Sequence, residues 1–218
     1  HVAYVEIASP TQLRTATAVP GKLTSTTTAY VSTMAAYNNA VVAMGGDNFV
    51  DKPDKTTYEF RMGQKVREKG NRYKDVLFID AEGDFHFFLA NPGNSAKDHN
   101  TLTKEEAEKY DVVNAFTFGP ALVIDGETQD LTGRNALWRK QYKTDGYGYN
   151  PEGKEPRAAI GQTGKLSYVL VIAEGRDGTT SAGATQQELA DFMKEIGCVQ
   201  AYNLDGGNSG EMVFNRNG

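Results

Sequence analysis

Cysteine is nearly missing. Cys198 is the single thiol in 218 residues, so no internal disulfide can form and the disulfide-rich secreted scaffolds are excluded. Histidine is scarce as well. His1, His86 and His99 fall in no His-Glu-x-x-His spacing and have no cysteine pair to join, which removes the usual zinc sites. Apolar runs stay short, as in Val169-Leu170-Val171-Ile172-Ala173, far below the ~20 residues of a membrane-spanning helix. Positive charge is not in excess: 23 Lys+Arg against 28 Asp+Glu leave −5 and a pI near 5.3. That balance argues against sequence-independent nucleic-acid binding, which rests on Lys and Arg neutralising phosphates. No Gly-x-Ser-x-Gly elbow, P-loop or Rossmann glycine pattern occurs. The opening residues carry no basic stretch of a signal peptide and alternate like a strand.

What is present is an ordinary globule with surplus glycine. A chain of this length suits one domain and buries roughly 70% of its unfolded surface. Glycine is 23 of 218, about 11% against a usual ~7%, and it clusters between apolar runs. Those runs (residues 2–7, 40–44, 76–80, 85–89, 114–118, 121–124, 158–161, 167–173 and 201–204) are rich in Val, Ile, Phe and Tyr and read as strands. Two pairs of them flank short turns and predict hairpins, one around residues 81–84 and one around 163–165. Helices are fewer. Thr185 and Glu188 form a capping box for a helix to Ile196, with Leu189, Phe192, Met193 and Ile196 at helical spacing. Thr103 and Glu106 suggest a second box, opening a short helix towards Tyr110, and residues 29–37 a third helix. The order predicts an α+β fold with a mixed or antiparallel sheet in one domain. Residues 131–156, with Trp138 and several Tyr, read as a long loop or lid.

Chemistry concentrates where strands meet glycine. Residues 201–204 end in Asn203 and Asp205, followed by Gly206, Gly207, Asn208 and Ser209. Two glycines there permit positive φ and close approach of backbone to a ligand. A like pattern, Glu174-Gly175-Arg176 with Thr180 beyond, ends residues 167–173. Gly45-Gly46-Asp47-Asn48 ends residues 40–44, and Arg157 opens 158–161. Acid beside glycine at several strand ends is what a cleft at a sheet edge requires. Spaced EF-hand acids are lacking, while an oxygen-ligated Ca²⁺ near these acids stays open.

Taken in order, these segments resemble the phosphodiester glycosidase family. Its closing Asn-Leu-Asp-Gly-Gly-Gly-Ser is matched by Asn203 to Ser209, with Asn208 for the third glycine. Its Ser-x-Gly-x-Thr before Glu-Leu-Ala is matched by Ser181, Gly183, Thr185 and Glu188-Leu189-Ala190, and its Asp-Gly-Arg by Glu174-Gly175-Arg176. Its Pro-Arg-x-Ala-Ile-Gly is matched by Pro156 to Gly161 and its Gly-Pro-x-Leu-Val by Gly119 to Val123. Its Asn-Gly-Asp-Tyr-Phe is matched in part by Gly45-Gly46-Asp47-Asn48-Phe49. Gly45, Asn48 and Asn208 depart from the pattern, and family members usually run on through a further segment.

The resemblance implies cleavage of a sugar–phosphate glycosidic bond, a glycan or glycosyl-phosphate partner, no cofactor, and a secreted or cell-surface location. It makes Asp205 the expected base or nucleophile, Glu174 its partner and Asp47 the next candidate. Arg157 and Arg176 are then expected to clamp phosphate, since guanidinium binds its oxygens in bidentate fashion. The amides of Gly206, Gly207 and Asn208 would form an anion nest, and Asn203, Thr180 and Ser209 would orient the ligand. Two alternatives stand beside this: a binding module without catalysis, and a phosphodiesterase cutting P–O.

Overall fold

The computed structural model describes residues 1–23, 27–47, 57–142, 151–176 and 180–215, apart from the side chains of Trp138 and Tyr142. The first elements are β1 (Val2–Glu6), α1 (Val31–Tyr37), β2 (Val42–Met44), β3 (Tyr58–Arg61) and β4 (Gln64–Glu68). Next come β5 (Val76–Asp80), β6 (Phe85–Phe88), α2 (Ala96–Ala107), β7 (Val112–Phe116), β8 (Ala121–Ile124) and β9 (Glu127–Thr128). The rest are α3 (Leu131–Tyr142), β10 (Arg157–Gly164), β11 (Ser167–Ala173), α4 (Gln186–Glu195), β12 (Gln200–Leu204) and β13 (Met212–Phe214).

They assemble as the expected α+β domain. One sheet has six strands in the order β1-β11-β10-β12-β8-β9, a second has five in the order β4-β3-β7-β5-β6, and β13 pairs with β2. Strand alternation explains the layering, because successive side chains point to opposite faces. In β5, Leu77 and Ile79 face the layer between the two large sheets, where they meet Ile160, Tyr168, Ile172 and Tyr202. Val76 and Phe78 face the other way, onto Tyr58, Phe60 and Ala107 of α2. In the six-stranded sheet, Ala159, Val169, Val171 and Ala201 face outward beneath Leu131 of α3 and Leu189, Ala190 and Met193 of α4. Sheets covered on both faces need apolar residues at every position, hence unbroken runs such as Val76 to Ile79.

Both predicted hairpins form, β5 with β6 and β10 with β11, and α4 carries its Thr185–Glu188 capping box. Three expectations need correction. The long loop over residues 131–156 begins instead as helix α3; Leu131 is buried, and Asp130 Oδ1 accepts from the Gly133 amide at 2.8 Å as a cap. Aromatic and glycine content masked that helix, and residues 143–150 of the expected lid lie outside the described residues. Helix α2 starts seven residues before Thr103: Ser95 caps it, and Thr103 lies inside, its hydroxyl donating to the His99 carbonyl at 2.7 Å. Strands β3, β4, β9 and β13 were not foreseen: β3 and β4 mix charge with apolar residues, and β9 and β13 are only two and three residues long.

One buried carboxylate joins the layers. Asp75, 0% exposed, precedes β5 and accepts from the amides of Ala90 (2.7 Å) and Ala121 (2.9 Å). Arg134 of α3 also donates to it, Nη2 to Oδ1 at 3.0 Å. The Tyr202 hydroxyl of β12 donates to its backbone carbonyl at 2.7 Å. Burial pushes the Asp75 carboxyl upward, while Arg134 and the two amides oppose that push. Removing one member of a buried pair strands the other. Asp75→Ala is therefore expected to cost about 3–5 kcal/mol of unfolding free energy, read from urea denaturation.

A second buried group makes stability depend on pH. His99 of α2 is 0% exposed and packs its ring 5.1 Å from that of Phe88, with hydrogen bonding to the Asn71 backbone the opposing influence that favours its charged form. Burial, and then the charge of Arg72, lower its pKa below the ordinary 6.5. The unfolded chain therefore binds a proton that the folded chain refuses, and folding loses free energy as pH falls through the unfolded value. The urea midpoint is expected to drop between pH 7.5 and 5.5. In His99→Leu that decline should be shallower.

Candidate active site

The site is built at the end of β12. Alternation along this strand sends Tyr202 and Leu204 between the sheets, and Ala201 beneath α4. Asn203 is buried, donates Nδ2 to the Gly119 carbonyl at 2.8 Å, and leaves Oδ1 without a partner among the described residues. Past Leu204 the backbone turns to the small sheet: the Asp205 amide donates to the Gly46 carbonyl at 3.0 Å, and the Gly45 amide to Glu211 at 2.9 Å. Glycine is obligatory where these segments meet. A Cβ on Gly206 would lie 2.4 Å from the Pro156 carbonyl oxygen, and one on Gly45 would lie 2.1 Å from that of Ser209. Gly45 therefore suits this backbone, whereas Asn48 lies outside the described residues. Gly207–Ser209 form a 3-10 turn, with Asn208 and Ser209 exposed. The amides of Gly206, Gly207 and Asn208 donate to no acceptor among the described residues.

Around Asp205 the three sheets contribute charge. Burial raises its pKa above the ordinary carboxylate value, a hydrogen bond from Ser209 opposes this, Asp47 adds to it and Lys74 opposes it. Asp205 and Asp47 are thus electrostatic neighbours. Asp47, at the end of β2, accepts from Arg61 Nη2 at 2.7 Å, both side chains being 12–13% exposed. Arg61 also stacks its guanidinium 4.6 Å above the Phe116 ring, and the Lys74 ammonium lies 5.4 Å from the Phe118 ring. Glu59 stands 3.5 Å from Arg61, on the same face of β3.

A second group lies at the start of β10. Arg157 is buried, donating Nε to the Ala184 carbonyl and Nη2 to that of Gly153, each at 3.0 Å. Burial lowers its pKa, Glu155 raises it and the neighbouring Arg176 lowers it. Arg176, with φ at +61°, donates Nε to Glu155 Oε2 at 2.5 Å. The expected clamp residues are therefore adjacent, with Glu155 between them. Thr180 is exposed nearby in sequence, and the Ser181 hydroxyl donates to the Glu174 carbonyl at 2.6 Å.

Glu174 itself departs from expectation. It follows β11, which β10 separates from β12, its side chain is 61% exposed, and it contacts His1 Nε2 at 2.7 Å. Two strand spacings are about 9–10 Å, so the acid that neighbours Asp205 is Asp47. Reading the sequence missed Glu59, Arg61 and Lys74. The signal was available in Tyr58-Glu59-Phe60-Arg61: aromatics at two alternate positions face the core, which puts a carboxylate and a guanidinium together on the opposite face.

Among the described residues no three His, Cys, Asp or Glu side chains converge as metal ligands, and no helix is long and apolar enough to cross a membrane. Comparison with known proteins bears on the fold and the family. The structure is similar to the catalytic domain of zebrafish N-acetylglucosamine-1-phosphodiester alpha-N-acetylglucosaminidase, auto-inhibited by its pro-peptide, with TM-score 0.63 and 19% identity. That match covers 98% of this chain and 62% of the zebrafish one. A hypothetical protein from Synechocystis gives TM-score 0.60 at 15% identity, over 98% of this chain and 52% of that one. An uncharacterized SPbeta prophage-derived protein of Bacillus subtilis, YomE, is 29% identical over 119 residues, 55% of this chain and only 16% of its own length. The chain thus spans less than two thirds of each of these relatives. The profile of the phosphodiester glycosidase family matches residues 38–218, nearly the whole run that carries the motifs, and the chain belongs to that family.

Proposed function

We propose that the protein hydrolyses the C1–O glycosidic bond of a sugar-1-phosphodiester, releasing the sugar and a phosphomonoester. The observation that carries this reading is the partly buried Asp205 beside Asp47, just past the end of β12 in the run Asn203-Leu204-Asp205-Gly206-Gly207. The departing phosphomonoester has a second pKa of about 6 and leaves as an anion, so little protonation of the leaving group is required. The reaction asks for a carboxyl at C1 and positive charge on the phosphate. Asp205 serves as base or nucleophile; a raised pKa makes its carboxylate the stronger base. Asp47, its charge compensated by Arg61, takes the partner role that the sequence suggested for Glu174. Lys74 and the amides of Gly206, Gly207 and Asn208 receive phosphate oxygens, flanked by Arg176 and Arg157. Asn203, Thr180 and Ser209 orient the ligand. This chemistry calls for no metal or organic cofactor, and a glycan-linked substrate goes with a secreted or cell-surface location.

Turnover of a glycosyl phosphodiester in ¹⁸O water is the test. Label is expected on the sugar, which marks C–O cleavage; label on phosphate would mean P–O cleavage and overturn the reading. Asp205→Asn should lower kcat/KM by about 10³-fold while the melting temperature holds. Because Asp205 must be ionised, the acid limb of the pH–rate profile should lie above the ordinary 3.8 of aspartate.

The two candidate partners are separable by mutation. Asp47→Asn should cost about 10²-fold in kcat. Glu174→Gln, exposed and two strands away, should stay within about threefold of the parent. The reverse order would return the partner role to Glu174.

A further inference from the structure

Four charged side chains form a row behind the site: Asp47, Arg61, Glu59 and Arg67. Arg61 Nη2 donates to Asp47 Oδ1 at 2.7 Å and stands 3.5 Å from Glu59 Oε1, so two carboxylates share one guanidinium nitrogen. Its other terminal nitrogen, Nη1, is committed to the carbonyls of Phe60 (2.9 Å) and Ala115 (2.5 Å), and its plane to the Phe116 ring. Arg61 is thus fixed, with Asp47 as the hydrogen-bonded partner of Nη2 and Glu59 as a second, more distant carboxylate drawing on the same charge. Glu59 is held in turn by the Thr57 hydroxyl at 3.2 Å and by Arg67 Nε at 3.8 Å. The side chains of Asp47, Glu59 and Arg61 are 12%, 9% and 13% exposed, so water and salt screen their interaction less than on an open surface.

We propose that Glu59 is a positioning residue that, through the shared Nη2 of Arg61, sets how firmly the Asp47 carboxylate is held beside Asp205. The inference rests on the reading of Asp47 and Asp205 as the reacting carboxyls, and it adds a residue to which that reading assigns no role. Glu59 has a protonation change available: burial, then the charge of Asp47, push its pKa upward, while Arg61, Arg67 and the Thr57 hydrogen bond oppose them. The charged groups facing it are Asp47 beyond β2, Arg61 on its own strand and Arg67 on β4, with Asp205 on the far side of Asp47. Once Glu59 is protonated, Nη2 serves Asp47 alone.

Guanidinium ¹⁵N NMR of the whole chain tests this without reference to turnover. In the parent protein the Arg61 Nη2 signal is expected to move in step with the ¹³C-labelled carboxyl of Glu59 as pH falls. In Glu59→Gln it should occupy its low-pH position throughout. An Arg61 signal that ignores the Glu59 titration, or that is unchanged in a folded Glu59→Gln variant, overturns the proposal. Should the variant fail to fold, the parent titration decides alone. On a glycosyl phosphodiester substrate, Glu59→Gln is expected to lower kcat about tenfold with KM within about threefold, and to carry the acid limb to lower pH. A loss confined to KM would count against it. An Arg61 signal that tracks Glu59 in a protein without turnover would leave the positioning role standing and the functional reading refuted.

Discussion

Asp75 is the point through which the layers of this protein hold one another. Its carboxylate accepts hydrogen bonds from a loop amide after β6, the first amide of β8 and a guanidinium of α3, while its backbone carbonyl accepts one from the hydroxyl of Tyr202. Tyr202 also accepts from the Phe118 amide at 2.9 Å. The same few atoms therefore tie both large sheets and the helix layer. A charge with no exposed surface is tolerated only when it is fully paired, and here the pairing of the carboxylate comes from three separate parts of the chain. Its geometry fixes the height of β12 against β5 and β7, and β12 is the strand that carries Asp205.

The candidate site depends on that placement. Asp205 comes from the six-stranded sheet, Arg61 and Glu59 from the five-stranded sheet, and Asp47 from the end of the small one. None of these sheets brings this group of charged side chains together by itself. Glycine makes the junction possible, since Gly206 lies against the Pro156–Arg157 backbone and Gly45 against Ser209. A side chain at either place would push the segments apart, and with them the two aspartates. The electrostatic outcome is a row of carboxyls of which one, Asp47, is compensated by Arg61, while Asp205 is left more basic by its surroundings.

Local rules were enough for several elements. β5, β8 and β11 begin and end where their apolar runs do, because strands buried on both faces cannot admit a polar residue without a partner. The α4 cap was legible for a related reason: Thr185 and Glu188 satisfy backbone amides within their own turn. Thr103 and Glu106 have the same spacing, yet Thr103 sits mid-helix, since Ser95 had already supplied the cap. In α3, Leu131 is buried by α4 and Arg134 by Asp75, partners distant in sequence. Periodicity within residues 131–142 carries little of that information. Strand β3 was hidden because two of its four residues are charged, and those charges are buried only once Asp47 and Arg67 arrive.

By itself, then, the sequence determined the α+β class, most strand positions and the family motifs. Each of these is written in contiguous residues, through alternation, capping or glycine in a tight turn. The tertiary structure decided which acid stands beside Asp205, that Lys74 brings positive charge to Asp205 and Arg61 to Asp47, and that Arg157 is buried against backbone carbonyls. Those are contacts between segments far apart in the chain, and their energies depend on burial and distance, quantities that no spacing within the sequence contains.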